Sequence, residues 1–407
     1  MFGVGRYRTL FANRAVALLV TALLFSRVGD QFVGIGLTWA ALELTHSAVA
    51  TGLVVMAYAL ALVAAGFFAG SLLDRYPRKP LMLADNALRV LCIGGIAAAG
   101  LTHHLSVWLL VALSCVAAIA SAITVVGTRA YLPTLVPEEL IITVFAVDSS
   151  LYQLAAIAGP ALAGIVTAAF GASWSMAAGA ACFALFIAVA AFIPAGALDE
   201  GIPPQAKPVS MDEELRGARY IFEHPVLRAV TVLTAIGNFF AVIGIFGLAF
   251  LSKDTFAAGA TGQGIMLTAI AIGSLVASVA LGTGRWPYPR GVSFIVSNIV
   301  LGVLLAVIAI VPSLPVACAV LLVFGAVDAA FFIWMSELRQ RTPPPELLAR
   351  VISASMILNT VTLPFSNAVT GFAVSAFGVR PMFAAAGGLL AAYSALFLRN
   401  RPLRETP

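Results

Sequence analysis

Twelve stretches of this chain are each long and apolar enough to cross a lipid bilayer, and most of the connections between them are only a few residues long. A membrane-spanning helix needs about 20 predominantly apolar residues. The runs at roughly 15–42, 47–73, 80–102, 105–128, 140–169, 173–194, 226–251, 259–283, 290–312, 314–338, 348–377 and 379–398 satisfy that requirement. The predicted class is an all-α integral membrane protein of twelve transmembrane helices. Composition agrees: 61% of the 407 residues are hydrophobic and 10% are charged, against about 25% charged in soluble domains.

One connection differs from the rest. Between the sixth and seventh runs, GALDEGIPPQAKPVSMDEELRGARYIFEHP is polar and proline-rich, with a short amphipathic helix expected near 211–223. This predicts an N-terminal six-helix bundle (1–194), a linker (195–225) and a C-terminal six-helix bundle (226–407). Charge placement orients the chain. An even number of spans puts both termini on one side, and that side carries nineteen Lys and Arg residues. The opposite side carries Lys253 and Arg380, while Arg27 and Arg89 sit inside spans. The positive-inside rule then makes both termini cytoplasmic, as expected for a bacterial inner-membrane protein.

The two halves repeat. Shifted by 212 residues, Gly52 and Gly70 meet Gly264 and Gly282, and Tyr76-Pro77-Arg78 meets Tyr288-Pro289-Arg290. Shifted by 207, VPEEL meets PPPEL, Gly164 meets Gly371, and Phe170-Gly171 meets Phe377-Gly378. Repeated halves around a central site are a mark of secondary transporters.

Other classes find little support. The four cysteines lie inside apolar runs and form no CxxC pair, so neither a disulfide framework nor a zinc site is expected. Arg6, Arg8 and Arg14 precede an apolar run too long for a signal peptide. His46, His103 and His104 fall in loops, and two adjacent histidines are too few for a metal site. With no P-loop and no nucleophile constellation, neither ATP-driven transport nor catalysis is expected, and no cofactor. The basic residues sit at membrane edges, where topology accounts for them without nucleic acid.

At GSLLDRYPRKP (70–80) the chain resembles the G-x-L-x-D-R-x-G-R-K signature of the major facilitator superfamily. Gly70, Leu72, Asp74, Arg75, Arg78 and Lys79 match, and Pro77 replaces the usual glycine. Because proline fixes φ near −65°, the turn must differ there. GPALAG (159–164) is similar to the superfamily's antiporter motif G-P-x-x-G-G, with Gly159, Pro160 and Gly164 in place and Ala163 replacing a glycine. The stretches 29–47, 214–228 and 341–351 resemble the twelve-span drug and siderophore exporter branch, the group with macrolide and enterobactin exporters. One departure is the fourth span, which lacks the deep arginine of many drug/proton antiporters and carries no charge before Arg129.

The resemblance implies roles. In this superfamily the motif aspartate, here Asp74, faces the start of span eleven, so Asp74, Arg75, Arg78 and Lys79 with Gly70 read as a conformational latch. A basic loop that only sets topology is the alternative. SRVGDQF (26–32) places Arg27, Asp30 and Gln31 in span one, which lines the central cavity in this superfamily. A charge at mid-bilayer costs roughly 2.5–3.5 kcal/mol, so such residues face a cavity or a partner. Arg27 and Asp30 are i,i+3 neighbours able to pair on one helix face. Asp30 then reads as a proton-coupling or substrate-binding carboxylate, or else as half of a fixed ion pair. Asp85 and Arg89 have favourable i,i+4 spacing and read as a structural pair or gate support, with substrate contact as the alternative. Asp148 is expected to pair with Arg129 or Arg89 in the same gate network, with a proton site as the alternative. Asp328, isolated in span ten, is the second candidate for a proton or cation site, or a neutral core acid. Trp39, Phe239, Phe240, Phe331, Phe332 and Trp334 fall on expected cavity helices, with Asn238 pointing inward. Any single aromatic can equally be packing or lipid-facing bulk.

The resulting expectation is a monomeric secondary active transporter that exports a small amphipathic compound (drug, siderophore or metabolite) against protons by alternating access. An uncoupled or lysophospholipid-moving facilitator is the alternative within transporters. A non-transporting membrane receptor or scaffold is the alternative outside them.

Overall fold

Hydrocarbon offers no water to backbone N–H and C=O groups, so a spanning segment satisfies them internally as a helix. The computed structural model describes residues 4–194, 198, 211–283 and 288–406, and among these the chain is helical without a strand. Twelve of its helical segments are long and apolar enough to cross a membrane.

Internal contacts divide the chain into two compact units, Met1–His46 with Ala57–Pro208 and Ser47–Met56 with Val209–Pro407. The first unit begins with α1 (Val4–Ala12) and α2 (Arg14–Thr45). Asn13 caps α2 by accepting from the amides of Ala15 at 3.0 Å and Val16 at 3.4 Å, which satisfies two of the donors a helix start leaves open. Then come α3 (Ala48–Arg75), which belongs to this unit from Ala57 onward, α4 (Arg78–Leu101), α5 (Val107–Tyr131), α6 (Ile141–Phe170) and α7 (Ala172–Ala191). Helix α2 packs against α7 and α6, and α4 packs against α5 and α7. Leu19, Leu23, Tyr131, Val144 and Phe186 are buried in one apolar cluster near the basic end of these helices.

The second unit carries α8 (Met211–Glu223), α9 (Pro225–Phe250), α10 (Gly259–Thr283), α11 (Arg290–Ile308) and α12 (Leu314–Arg341). These are followed by α13 (Pro345–Thr360), α14 (Leu363–Phe377) and α15 (Val379–Leu396). The amphipathic α8 seats Ile221 against Leu227, Val351 and Ala354, beside the start of α13. Span eleven is not the single helix expected over 348–377, because it breaks after Thr360 and resumes at Leu363. Pro364 explains the break: it lacks an N–H, and its ring would meet the carbonyl four residues back.

The internal repeat is visible in the backbone. Gly171 ends α6 at φ 93° and ψ 165°, and Gly378 ends α14 at φ 86° and ψ 166°. Residues with a Cβ rarely adopt that conformation, and glycine does so at no steric cost. Pro77 precedes α4 at φ −56° and ψ 134°, and Pro289 precedes α11 at φ −54° and ψ 138°. The departure from the signature glycine at position 77 is therefore shared by both halves.

Candidate functional site

The charged side chains of spans one, three and five converge inside the first unit. Arg27 reaches from α2 to α6, where its Nη2 donates to Asp148 Oδ1 and its Nη1 to the Asp148 backbone carbonyl, both at 2.6 Å. Tyr152, one turn further along α6, holds its ring 5.7 Å from the same guanidinium. Asp30, one turn beyond Arg27 on α2, accepts from Arg89 Nη2 on α4. Arg89 Nη1 also donates to Ser26 Oγ at 3.0 Å, and the guanidinium lies 3.6 Å from the Phe183 ring centre on α7. The Arg89 side chain is 3% exposed, whereas that of Asp30 is 40% exposed, which makes Asp30 the accessible acid of this pair.

Asp85 turns toward α5. Its Oδ2 accepts from the Thr124 amide at 3.0 Å and from the Thr124 hydroxyl, while its buried Oδ1 has no hydrogen-bond partner among the described residues. Asn86, fully buried, donates to Thr124 Oγ1 at 3.2 Å and to the Met82 carbonyl at 3.0 Å.

Three expected pairings are corrected. Arg27 and Asp30 form no ion pair with each other, and neither do Asp85 and Arg89. Asp148 pairs with Arg27 and not with Arg89. The side chains of Arg129 and Asp74 lie outside the described residues. The physical reason is that same-helix pairs contribute only about 0.2–0.5 kcal/mol. A charged hydrogen bond to a neighbouring helix stabilises more, at about 1.5–3 kcal/mol, and fixes two spans together. Among the described residues the network holds three carboxylates (Asp30, Asp85, Asp148) against two guanidiniums (Arg27, Arg89). Counted as ionised, these described groups carry one negative charge in excess.

The glycine motif meets the polar stretch of span one. Gly159, Pro160 and Gly164 are buried along α6. A Cβ on Gly159 would lie 2.5 Å from Gln31 Cγ and 2.7 Å from Gln31 Cβ, closer than real Cβ contacts. The absence of that Cβ is what lets Gln31 seat against α6. At the signature loop Arg75 is exposed in the last turn of α3, the helix that also carries Gly70. Lys79 Nζ donates to the carbonyls of Ala191 at 2.9 Å and Ile193 at 2.5 Å, at the end of α7. Arg78 donates to the Leu198 carbonyl at 3.1 Å and lies 5.1 Å from the Tyr131 ring centre. Cations at the open carbonyls of a helix end satisfy acceptors and oppose the helix dipole.

The profile of the Major Facilitator Superfamily matches residues 19–363. The chain belongs to the major facilitator superfamily. Among curated relatives, it is 25% identical over 380 residues to the multidrug efflux pump Tap of Mycolicibacterium fortuitum, covering 90% of this chain and 91% of that one. It is 21% identical over 345 residues to the enterobactin exporter EntS of Escherichia coli, covering 85% and 79%. The fold is that of a solved POT family transporter in complex with 5-aminolevulinic acid, with a TM-score of 0.78 at 12% identity and coverage of 95% and 96%. As a superfamily member the chain is a multi-pass membrane transporter with bacterial relatives.

Other superfamily positions fall elsewhere in the two units. Trp39 is buried on α2. In the second unit Asp328 is half-buried on α12 and makes no ion pair or hydrogen bond among the described residues. Asn238 is half-buried on α9 beside Phe239 and Phe240, whose rings meet edge to face at 5.4 Å. Phe332 is 43% exposed. Phe331 and Trp334, expected on a cavity wall, are instead buried against their own unit: Phe331 stacks on Phe294 at 5.1 Å, and Trp334 lies 5.0 Å from the Arg290 guanidinium. Phe331 and Trp334, three residues apart, share a helix face, while Phe332 is rotated about 100° from Phe331 and turns away from it.

Sequence reasoning missed Ser26, Asn86, Thr124, Phe183 and Glu337. Glu337 accepts from Arg290 at 2.9 Å and from Arg341 at 3.0 Å. A signal for Asn86 was present, since the 212-residue shift places it on Asn298, and both are fully buried. Among the described residues no three His, Cys, Asp or Glu side chains group as a metal site.

Proposed function

We propose that this chain is a proton-coupled exporter of small amphipathic compounds, with both termini in the cytoplasm of a bacterium and two six-helix bundles alternating access. The observation that carries the reading is the charge balance of the buried network. Among the described residues three carboxylates face two guanidiniums on α2, α4 and α6, and an unbalanced charge in hydrocarbon is costly. A proton or a cationic substrate supplies the missing positive charge, and neither can bind fully while the other is present. Mutual exclusion at one site is the thermodynamic core of exchange. Asp30, with its side chain 40% exposed, is the acid to which a proton has access. Likeness to Tap and EntS supports the outward direction. Lys79, tied to the end of α7, and Arg78, bonded to the Leu198 carbonyl beyond it, belong to the gate together with Asp74.

The test is accumulation of a lipophilic cationic dye in cells expressing the wild type or Asp30→Asn at matched levels, with and without a protonophore. The wild type is expected to lower accumulation only while the proton gradient stands, and Asp30→Asn to lose that effect. Export by the wild type that ignores the protonophore would replace this reading with an uncoupled or lipid-moving facilitator.

A further inference from the structure

Phe183 on α7 carries no charge, yet it lies against the charged network of the first unit. Its ring centre is 3.6 Å from the Arg89 guanidinium carbon. At that distance a cation over a ring face is attracted by the ring's quadrupole, the more so when both are out of water. Phe183 is fully buried, and the Arg89 side chain is 3% exposed. Both terminal nitrogens of Arg89 are directed at one face of α2. Nη1 donates to Ser26 Oγ at 3.0 Å and Nη2 donates to Asp30. Ser26 and Asp30 are four residues apart, so they stand one above the other on the helix. A planar guanidinium meets both only while its plane contains them. The ring under its face fixes that plane.

The sequence makes room for the ring. A Cβ on Gly29, the residue before Asp30, would lie 2.7 Å from Phe183 Cε1 and 3.1 Å from Cys182 Cβ. A Cβ on Gly179, one turn before Phe183, would lie 3.3 Å from the Gly29 carbonyl oxygen. These glycines let α2 and α7 approach closely enough to bring the ring under Arg89. An aliphatic side chain would fill the same space without holding the cation.

We infer that Phe183 is a positioning residue for Asp30: its ring face holds the Arg89 guanidinium in the plane from which it donates to that acid. The ring thereby sets how readily Asp30 exchanges its internal cation for a proton or a substrate. The inference rests on the export reading for the role of Asp30 in transport, and the positioning itself does not.

Positioning is read without transport or an ion gradient, so its outcome is separate from that of the dye experiment. The readout is the rate at which dicyclohexylcarbodiimide modifies Asp30, whose side chain is 40% exposed, in the purified full chain in lipid nanodiscs at one pH. The reagent adds a carboxyl O–H across one C=N bond, giving an O-acylisourea that rearranges to a stable N-acylurea. That adduct is quantified on the Asp30 peptide by mass spectrometry. A carboxylate paired with a guanidinium keeps its charge and reacts slowly. Phe183→Leu is expected to raise the rate about tenfold, equivalent to about 1.4 kcal/mol of lost hold on the ion pair. A trifluorinated phenylalanine at position 183 keeps the ring's shape and drains its face of negative potential. It is expected to raise the rate in the same direction with the melting temperature unchanged, which keeps the inference testable if Phe183→Leu does not fold. In an Arg89→Gln background Asp30 should react fast already, and neither ring replacement should change the rate further. An unchanged rate with the fluorinated ring, or an equal rise from Phe183→Leu with and without Arg89, overturns the inference.

Discussion

Arg27→Met is the perturbation that most directly tests the wiring of the buried network. The substitution keeps a long apolar stem and deletes two hydrogen bonds of 2.6 Å to Asp148. Removing one partner of a fully buried pair costs about 3–5 kcal/mol. Both side chains here are 18% exposed, so solvent screening lowers the expectation to about 2 kcal/mol. For a unit of this size that corresponds to a fall of about 4–8 °C in apparent melting temperature. Asp148→Leu should do similar harm by stranding Arg27. The double variant Arg27→Met/Asp148→Leu strands neither and should recover most of the loss, giving a coupling of about 1–3 kcal/mol. The assay is thermal unfolding of the purified protein in detergent for each corner of the cycle. A parallel cycle on Arg27 and Asp30, neighbours on one helix, should give the smaller coupling. If the Arg27/Asp30 coupling is the larger, or if Arg27→Met and Asp148→Leu simply add, the cross-helix assignment is wrong.

Gly159→Ala should lower the melting temperature through the 2.5 Å approach to Gln31, at about 1–3 kcal/mol for overpacking. Gln31→Gly in the same chain removes both the Cγ at 2.5 Å and the Cβ at 2.7 Å and should restore most of it, less about 1 kcal/mol for a glycine within a helix; a failure of rescue would place the clash elsewhere. Asp328→Asn removes a carboxylate with no described partner, so it should leave the melting temperature unchanged or raise it. A fall of several degrees would mean that the acid is structurally paired. Pro364→Ala restores an N–H near the break after Thr360. Hydrogen exchange at residues 361–363 should slow if proline causes the break, and unchanged exchange would assign it to packing.

The features legible in the sequence are those that depend on local composition and local backbone conformation. Twelve apolar runs of sufficient length dictate twelve spans, because a bilayer demands about 20 apolar residues per crossing. The amphipathic stretch near 211–223 folds as Met211–Glu223. The matched Phe-Gly and Tyr-Pro-Arg pairs close and open helices with nearly the same φ and ψ in both halves, since glycine permits a positive φ that other residues avoid and proline fixes φ near −65°. The proline that breaks span eleven was equally in view, but hydropathy over a long window averages across it. Tertiary structure alone decided which charges meet. Arg27 had Asp30 three residues away and bonds Asp148 instead, and Arg89 had Asp85 four residues away and bonds Asp30. A long side chain on a helix reaches both its own face and the neighbouring helix. The choice between them rests on helix rotation and axial register, which are set by packing between spans and leave no trace in the hydropathy of either one.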